Sequence, residues 1–171
     1  MEDLLGQLEK ADRLAVITQR VGFALWQLQE LEGVTAQFFV LAVQSKKGIG
    51  LDAGNALLDK ALKNTFGATI QQMSNAGLLS AELQGDFEHL LRDRNWLVHK
   101  SRAGSRSAIH NDAAFQRVVK RIDTIADEAL VLLKKIGALS DAHVKKHGVT
   151  EEYIAKKANE ILEHWQTSDV D

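Results

Sequence analysis

The chain has 171 residues, of which 45% are hydrophobic and 26% are charged, and its formal net charge is −2 at pH 7. This length fits one domain with a sizeable core. The small negative charge argues against a broad basic surface for duplex DNA, because non-specific DNA affinity comes from many neutralised phosphates. The absence of cysteine excludes disulfides and thiolate metal sites.

The composition also favours helices and argues against a membrane protein. No basic segment precedes an apolar stretch at the N-terminus, and no apolar run reaches the roughly 18 residues of a membrane span. We therefore expect a cytoplasmic protein with no membrane partner. Proline, which interrupts helices, is absent, and the chain is rich in Ala, Leu, Glu, Gln and Lys. These features predict an all-α fold.

A long first helix is predicted over residues 2–43, with a bend or break near Gly22 or Gly33. Its apolar residues recur at steps of three and four, which builds one buried stripe. The stripe comprises Leu14, Ile17, Val21, Leu25, Leu28 and Leu31. A glycine-containing loop over residues 45–50 ends this helix.

The next helices are predicted from residues that can cap a first turn. The capping residues are Asp52, Thr65 and Ser80, and the three helices end near residues 62, 73 and 100. Residues 101–110 have no apolar period and are predicted to form a loop. Asn111 or Asp112 then begins a long fifth helix.

The fifth helix is predicted to end at Gly137, and two short helices follow over residues 140–146 and 150–165, separated by Gly148. These lengths and loops predict an up-and-down bundle of four to five main helices with short C-terminal helices. We assign residues 1–137 to the bundle and 138–171 to a C-terminal appendage of the same domain.

The fourth helix carries the strongest indication of chemistry. Arg94 falls on its apolar side, so its charge must be paired, reach water or face a partner subunit. Asn95 and His99 are four residues apart and share a face. Arg94 and His99 point about 140° apart on an ideal helix. A two-fold dimer that packs this helix against its copy could bring two arginines and two histidines into one cleft.

These residue types suit phosphodiester chemistry. A guanidinium stays charged and binds phosphate oxygens, and an imidazole transfers protons near neutrality, so the pair could cleave RNA without a metal. The surrounding segment is basic and would attract single-stranded RNA, and Trp96 could stack on a base or lie in the core. The candidate substrate-binding residues are Arg92, Trp96, Lys100, Arg102 and Arg106.

Other interpretations remain open. Arg94 could be purely structural, in an ion pair with Asp86, Glu88 or Asp93. His143 and His147 have metal-ligand spacing, but no glutamate general base accompanies them, and a solvated helix end with lysines is favoured. We therefore predict no metal site and no cofactor.

The string from Arg94 to His99, Arg-Asn-Trp-Leu-Val-His, resembles the RNxxxH form of the Arg-x4-6-His motif of the HEPN superfamily of helical nucleotide-binding domains. The preceding segment is similar to sequences that lead into this motif in uncharacterised bacterial members. That segment contains Thr65-Phe66-Gly67-Ala68-Thr69-Ile70, Gly77-Leu78-Leu79, Leu83, Phe87 and Leu91. The resemblance covers roughly residues 14–133.

The resemblance implies a helical bundle, a homodimer with the motif helices at its interface, and in active members a metal-independent endoribonuclease. Arg94 and His99 would be the catalytic pair, with Asn95 as the polar residue beside the arginine. Such enzymes leave a 2′,3′-cyclic phosphate and include toxins held by a cognate antitoxin or used in defence. Toxins paired with a nucleotidyltransferase antitoxin usually carry a tyrosine two residues after the histidine, where this chain has Ser101.

Two alternatives lie outside catalysis. One is a non-catalytic dimeric module of the same fold that binds a nucleotide, RNA or a protein partner. The other is a regulator or component of an antitoxin complex that binds protein through its C-terminal helices.

Overall fold

The computed structural model describes residues 2–46 and 48–167, and for residues 2 and 3 it describes the backbone alone. Within these ranges the chain contains no strand, which confirms the all-α prediction. The helices are α1 (Glu2–Phe39), α2 (Leu51–Ala61), α3 (Phe66–Asn75), α4 (Ala81–His99), α5 (Ser101–Gly104), α6 (Asp112–Lys146) and α7 (Glu151–Thr167). None of the described helices combines the length and the apolar character needed to span a bilayer.

Helix α1 runs through both of its predicted weak points, Gly22 and Gly33, without a break. It ends in a π-helical turn over Val40–Gln44. The Ser45 N–H closes that turn on the Val40 carbonyl at 2.8 Å. A π-turn inserts an extra residue into the helical hydrogen-bond ladder and changes the direction in which the following side chains project.

Helices α1 and α6 pack side by side and run in the same direction. Arg13, near the start of α1, pairs with Asp112 at the start of α6. Further along both helices, Arg20 pairs with Asp123 at 2.9 Å. Since both numbers increase together, the two helices are parallel neighbours.

Helix α4 runs in the opposite direction. Its Asp86 accepts a hydrogen bond from Lys135 at 2.7 Å, and its Asp93 accepts one from Arg121, also at 2.7 Å. The later residue on α4 thus meets the earlier residue on α6, which makes this pair antiparallel. The order up, down, up of α1, α4 and α6 confirms the predicted helical bundle.

The core lies between these three long helices and α3. Its fully buried side chains include Leu28 and Leu31 of α1, Phe87 and Leu90 of α4, and Ile122, Ile125 and Ile136 of α6. Phe87 meets Phe66 of α3 edge to face, with ring centroids 5.9 Å apart. The buried hydroxyl of Thr35 donates to the Leu31 carbonyl, so this polar group is satisfied.

Most of the predicted helix caps are confirmed. The side chains of Thr65, Ser80 and Asn111 accept hydrogen bonds from the backbone N–H groups three residues on. The cap predicted at Asp52 is wrong. Helix α2 begins after Gly50, whose φ of +83° suits glycine. Asp52 lies inside the first turn, where its negative charge interacts favourably with the positive end of the helix dipole.

The loop predicted over residues 101–110 is wrong, since the segment folds into α5 and a 3-10 turn over Ser107–Ile109. The Ser101 hydroxyl donates to the Leu97 carbonyl, and the Ser105 hydroxyl donates to the Ser101 carbonyl. Ala108 is fully buried. A segment of single turns is too short for an apolar period, so its order comes from local hydrogen bonds and one core contact.

The predicted end of the fifth helix at Gly137 is also wrong, because α6 continues to Lys146 and absorbs the short helix expected over residues 140–146. A glycine inside a helix costs roughly 1 kcal/mol relative to alanine. The burial of Leu132 and Ile136 in the last turns before it outweighs that cost. The chain instead turns at Gly148, where φ is +86°.

Replacement of the core residue Phe87 by alanine tests the packing of α4. We expect Phe87→Ala to lower the free energy of unfolding by about 3–5 kcal/mol, because it leaves a cavity between α3 and α4. Phe23→Ala is the matched control, since Phe23 is 57% exposed, and we expect it to change stability by less than about 0.5 kcal/mol. Urea denaturation followed by circular dichroism measures both, and equal losses would contradict this description of the core.

Candidate functional site

Arg94 lies half-buried on α4 and is held by a carboxylate of α1. Its Nε donates to Glu32 Oε1 at 3.0 Å, and the two side chains are 31% and 30% exposed. The position on the apolar side is thus accommodated by an ion pair. The partner is none of the candidates Asp86, Glu88 and Asp93. The first and last of these accept hydrogen bonds from Lys135 and Arg121 of α6, and Glu88 accepts one from Gln84.

Only one edge of the Arg94 guanidinium is used. Among the described residues neither Nη atom makes a hydrogen bond, so both terminal groups have N–H donors left for an anion. Arg94, Asn95 and Glu32 line a cavity of about 460 Å³ together with Thr65 and Gly67 before and within α3. The structure therefore brings the predicted Arg-Asn pair to an accessible concave surface.

His99 is the last residue of α4 and is exposed. In the part of the chain that the structure describes, its imidazole has no hydrogen-bond, ion-pair or ring partner. It lies about 7.5 Å along the helix from Arg94 and about 140° around it. Asn95 and His99 share a face, but Arg94 and His99 of one chain do not converge.

The four basic residues among the predicted substrate-binding residues divide into two groups. Arg102 and Arg106 line one cavity of about 340 Å³, whose apolar wall is formed by Leu14 and Ile17 of α1 among others. Arg92 and Lys100 are exposed on α4 and at its end, outside this cavity. All four side chains are exposed.

Trp96 is half-buried and packs against the core. The Arg121 guanidinium lies over its ring, 3.8 Å from the centroid. The same guanidinium donates to Asp93 Oδ1 at 2.7 Å. Base stacking on this face of Trp96 would require Arg121 to move, so the core interpretation describes the ring better than the stacking interpretation.

The pair His143 and His147 lies near the end of α6, at the opposite end of the bundle from His99. His147 Nδ1 donates to the His143 carbonyl at 2.8 Å, and the two ring centroids are 4.4 Å apart. Burial lowers the pKa of His143, and the positive charges of His147 and Lys146 lower it further. His143 is half-buried against Phe38, so only His147 matches the solvated helix end that the sequence favours.

Sequence reasoning missed Glu32 and Arg121. Each lies more than two dozen residues from the motif residue it contacts, and neither has a periodic or motif signal. Comparison of the chain with models of known families, with curated proteins and with solved structures finds no match. The candidate site therefore rests on its own residues and geometry.

A double-mutant cycle on Glu32→Gln and Arg94→Gln tests the ion pair. Because both side chains are about one-third exposed, we expect a coupling energy of about 0.2–1 kcal/mol in low salt, with a smaller value at high salt. The same cycle on Arg20 and Asp123 provides a more exposed comparison. A coupling energy near zero in low salt would show that Glu32 does not hold Arg94 in solution.

The lowered pKa of His143 predicts a pH effect on stability. Its folded-state pKa lies below its unfolded value, so the unfolded state binds more protons as the pH falls through that window. Stability should therefore decrease as the pH falls below about 6.5, the unperturbed histidine value. Urea titrations at several pH values should show a smaller decrease in His143→Gln. A pH dependence identical to the wild type would contradict the assignment.

Proposed function

We propose that the protein is a metal-independent endoribonuclease of HEPN type that cleaves single-stranded RNA as a homodimer. One observation carries this proposal. Arg94 is anchored through Nε by Glu32, and its two Nη groups make no hydrogen bond to the described residues at the cavity it shares with Asn95. An arginine held along one edge with its terminal groups free is suited to grip a phosphate.

The chemistry needs only these side chains and the substrate. His99 removes the proton from the ribose 2′-hydroxyl as the 2′-oxygen attacks phosphorus. The bond from phosphorus to the 5′-oxygen breaks, and a second imidazole or a water molecule protonates the leaving oxygen. Arg94 stabilises the charge on the pentacoordinate phosphorus. The products are a 2′,3′-cyclic phosphate and a 5′-hydroxyl, and DNA is spared because it lacks the nucleophile.

A dimer solves the geometric problem of the single chain. Arg94 and His99 diverge on one α4, whereas a two-fold axis beside this helix places Arg94 of one protomer near His99 of the other. Val98, between them on α4, is 45% exposed, which supports an interface here. The basic residues Arg92, Lys100, Arg102 and Arg106 then flank the cleft and attract the RNA backbone.

Biologically, we propose that the ribonuclease is a cytoplasmic toxin of a toxin–antitoxin or defence system, with a cognate antitoxin protein as its partner. Ser101 occupies the position of the tyrosine that nucleotidyltransferase antitoxins modify in related toxins. Control by a bound protein is therefore the form of regulation that suits this chain.

The Glu32 contact favours one alternative. A carboxylate that pairs with Arg94 competes with phosphate for the same guanidinium and stabilises the bundle without any catalysis. The alternative is a non-catalytic dimeric module that binds a nucleotide, RNA or a protein partner.

Cleavage of labelled single-stranded RNA in EDTA decides between these functions. We expect the wild type to release fragments with 2′,3′-cyclic phosphate ends and to spare DNA of the same sequence. His99→Ala should lower the rate by at least about 100-fold, because it removes the general base. His110→Ala is the matched control, since His110 is an exposed histidine outside the motif, and it should cleave like the wild type. Equal rates in wild type and His99→Ala would refute the ribonuclease, and RNA binding without cleavage would support the module.

Mixing two inactive variants tests the shared site. A heterodimer of Arg94→Ala and His99→Ala chains has one site with both changes and one site with neither, if each site takes its arginine and histidine from different protomers. Random exchange should then restore about one quarter of the wild-type activity. No recovery, with exchange verified by mass spectrometry, would contradict the shared site.

A further inference from the structure

A cluster of three metal-binding side chains joins α4 to α6, apart from the residues of the proposed ribonuclease. His89 and Asp93 are one turn apart on α4, and Glu128 lies opposite them on α6. One donor atom from each residue lies within 4.8 Å of the other two. His89 Nδ1 is 3.2 Å from Glu128 Oε2 and 3.9 Å from Asp93 Oδ2.

We propose that His89, Asp93 and Glu128 bind one Zn²⁺ ion or a similar divalent transition metal, with water as the fourth ligand. Bonds of about 2.1 Å in a tetrahedron place neighbouring donors about 3.4 Å apart. His89 Nδ1 and Glu128 Oε2 are 3.2 Å apart in a hydrogen bond that the metal would replace, which is close to this value. Asp93 Oδ2, 3.9 Å from His89 Nδ1 and within 4.8 Å of the Glu128 donor, would move closer on binding. One imidazole and two carboxylates form a ligand set that zinc accepts.

Asp93 is already oriented for such a role. Arg121 donates to its Oδ1 at 2.7 Å, while the oxygen nearer His89 is Oδ2. The Asp93 side chain is only 18% exposed, so this contact restricts its motion. Hydrogen bonds from outer residues to a ligating carboxylate are a regular feature of metal sites, because they fix the ligand in place.

The surroundings carry the charge that a cation needs. His89 and Glu128 line a cleft of about 540 Å³ that also contains Asp86, Asp127 and Lys135. Lys135 is engaged by Asp86 at 2.7 Å, which leaves Asp127 and Glu128 as the excess charge. The cleft is open enough to admit water and the ion.

The histidine pair at the other end of α6 is a weaker candidate. His143 and His147 offer two side chains, whereas the cluster on α4 and α6 offers three. The described residues contain no group of three ligands there. Its removal therefore serves as a control for the cluster on α4 and α6.

The inference is independent of RNA cleavage, since neither His89 nor Glu128 belongs to the proposed catalytic machinery. A metal at this position would cross-link α4 to α6 and stabilise the helix on which Arg94 and His99 lie. Its effect is therefore measured on binding and stability, and cleavage in EDTA tests the ribonuclease separately.

Calorimetric titration of the EDTA-stripped, dialysed full chain with Zn²⁺ tests the site. We expect one strong site per chain and an increase in Tm on binding. His89→Ala and Glu128→Gln should each weaken the affinity at least tenfold. Asp127→Asn is the matched control, because it removes the same charge from the same cleft without removing a ligand, and it should change the affinity less than threefold. The double variant His143→Ala/His147→Ala should retain the site.

Three outcomes would overturn the proposal. The first is no heat of binding at millimolar Zn²⁺. The second is an equal loss of affinity in Glu128→Gln and Asp127→Asn, which would indicate attraction by charge alone. The third is loss of binding only in His143→Ala/His147→Ala, which would move the site to the other end of α6. Circular dichroism of each variant verifies that the exposed substitutions leave the fold intact.

Discussion

The parallel packing of α1 against α6 is the interaction on which the rest of the structure depends. The apolar stripes of the two helices bury each other, and Arg13 and Arg20 form ion pairs with Asp112 and Asp123 along the contact. Helix α4 runs in the opposite direction, packs against α6 and contacts α1 through Arg94. Its two flanks therefore meet different partners: Arg94 contacts α1, and Asp93 contacts α6. Both proposed sites follow from this one arrangement.

Sequence patterns predicted the helices that have a long apolar period or begin at a capping side chain. The apolar period of α1 and the capping side chains of Thr65, Ser80 and Asn111 act over a few residues, so they are readable without the fold. The prediction that the fifth helix ends at Gly137 is wrong because the cost of a glycine inside the helix is outweighed by the burial of Ile136, which is a tertiary effect. The loop predicted over residues 101–110 is wrong because single helical turns are too short to show an apolar period.

The candidate site was likewise predictable from the sequence for the residues of α4, but not for their partners on other helices. The step of apolar residues along α4 places Arg94 on the packed side, which the structure bears out. Its partner Glu32 lies 62 residues away and could not be inferred from spacing. Likewise, His89 and Asp93 are readable as a helical pair, but Glu128 joins them only because α4 and α6 are antiparallel. The Arg121 guanidinium lies over Trp96 for the same reason, because the packing of α4 against α6 brings the two residues together.

The continuity of α6 has a mechanical consequence. Arg121 beneath Trp96, Glu128 beside His89 and His143 beside Phe38 all project from this one unbroken rod. The 22 residues from Arg121 to His143 span about 33 Å at the rise of an α-helix. If a rigid helix of this length rotates by about 5° about one end, its other end shifts by about 3 Å. Had the helix broken at Gly137, the orientation of His143 would be independent of that of Arg121; in one continuous helix the two orientations are fixed relative to each other.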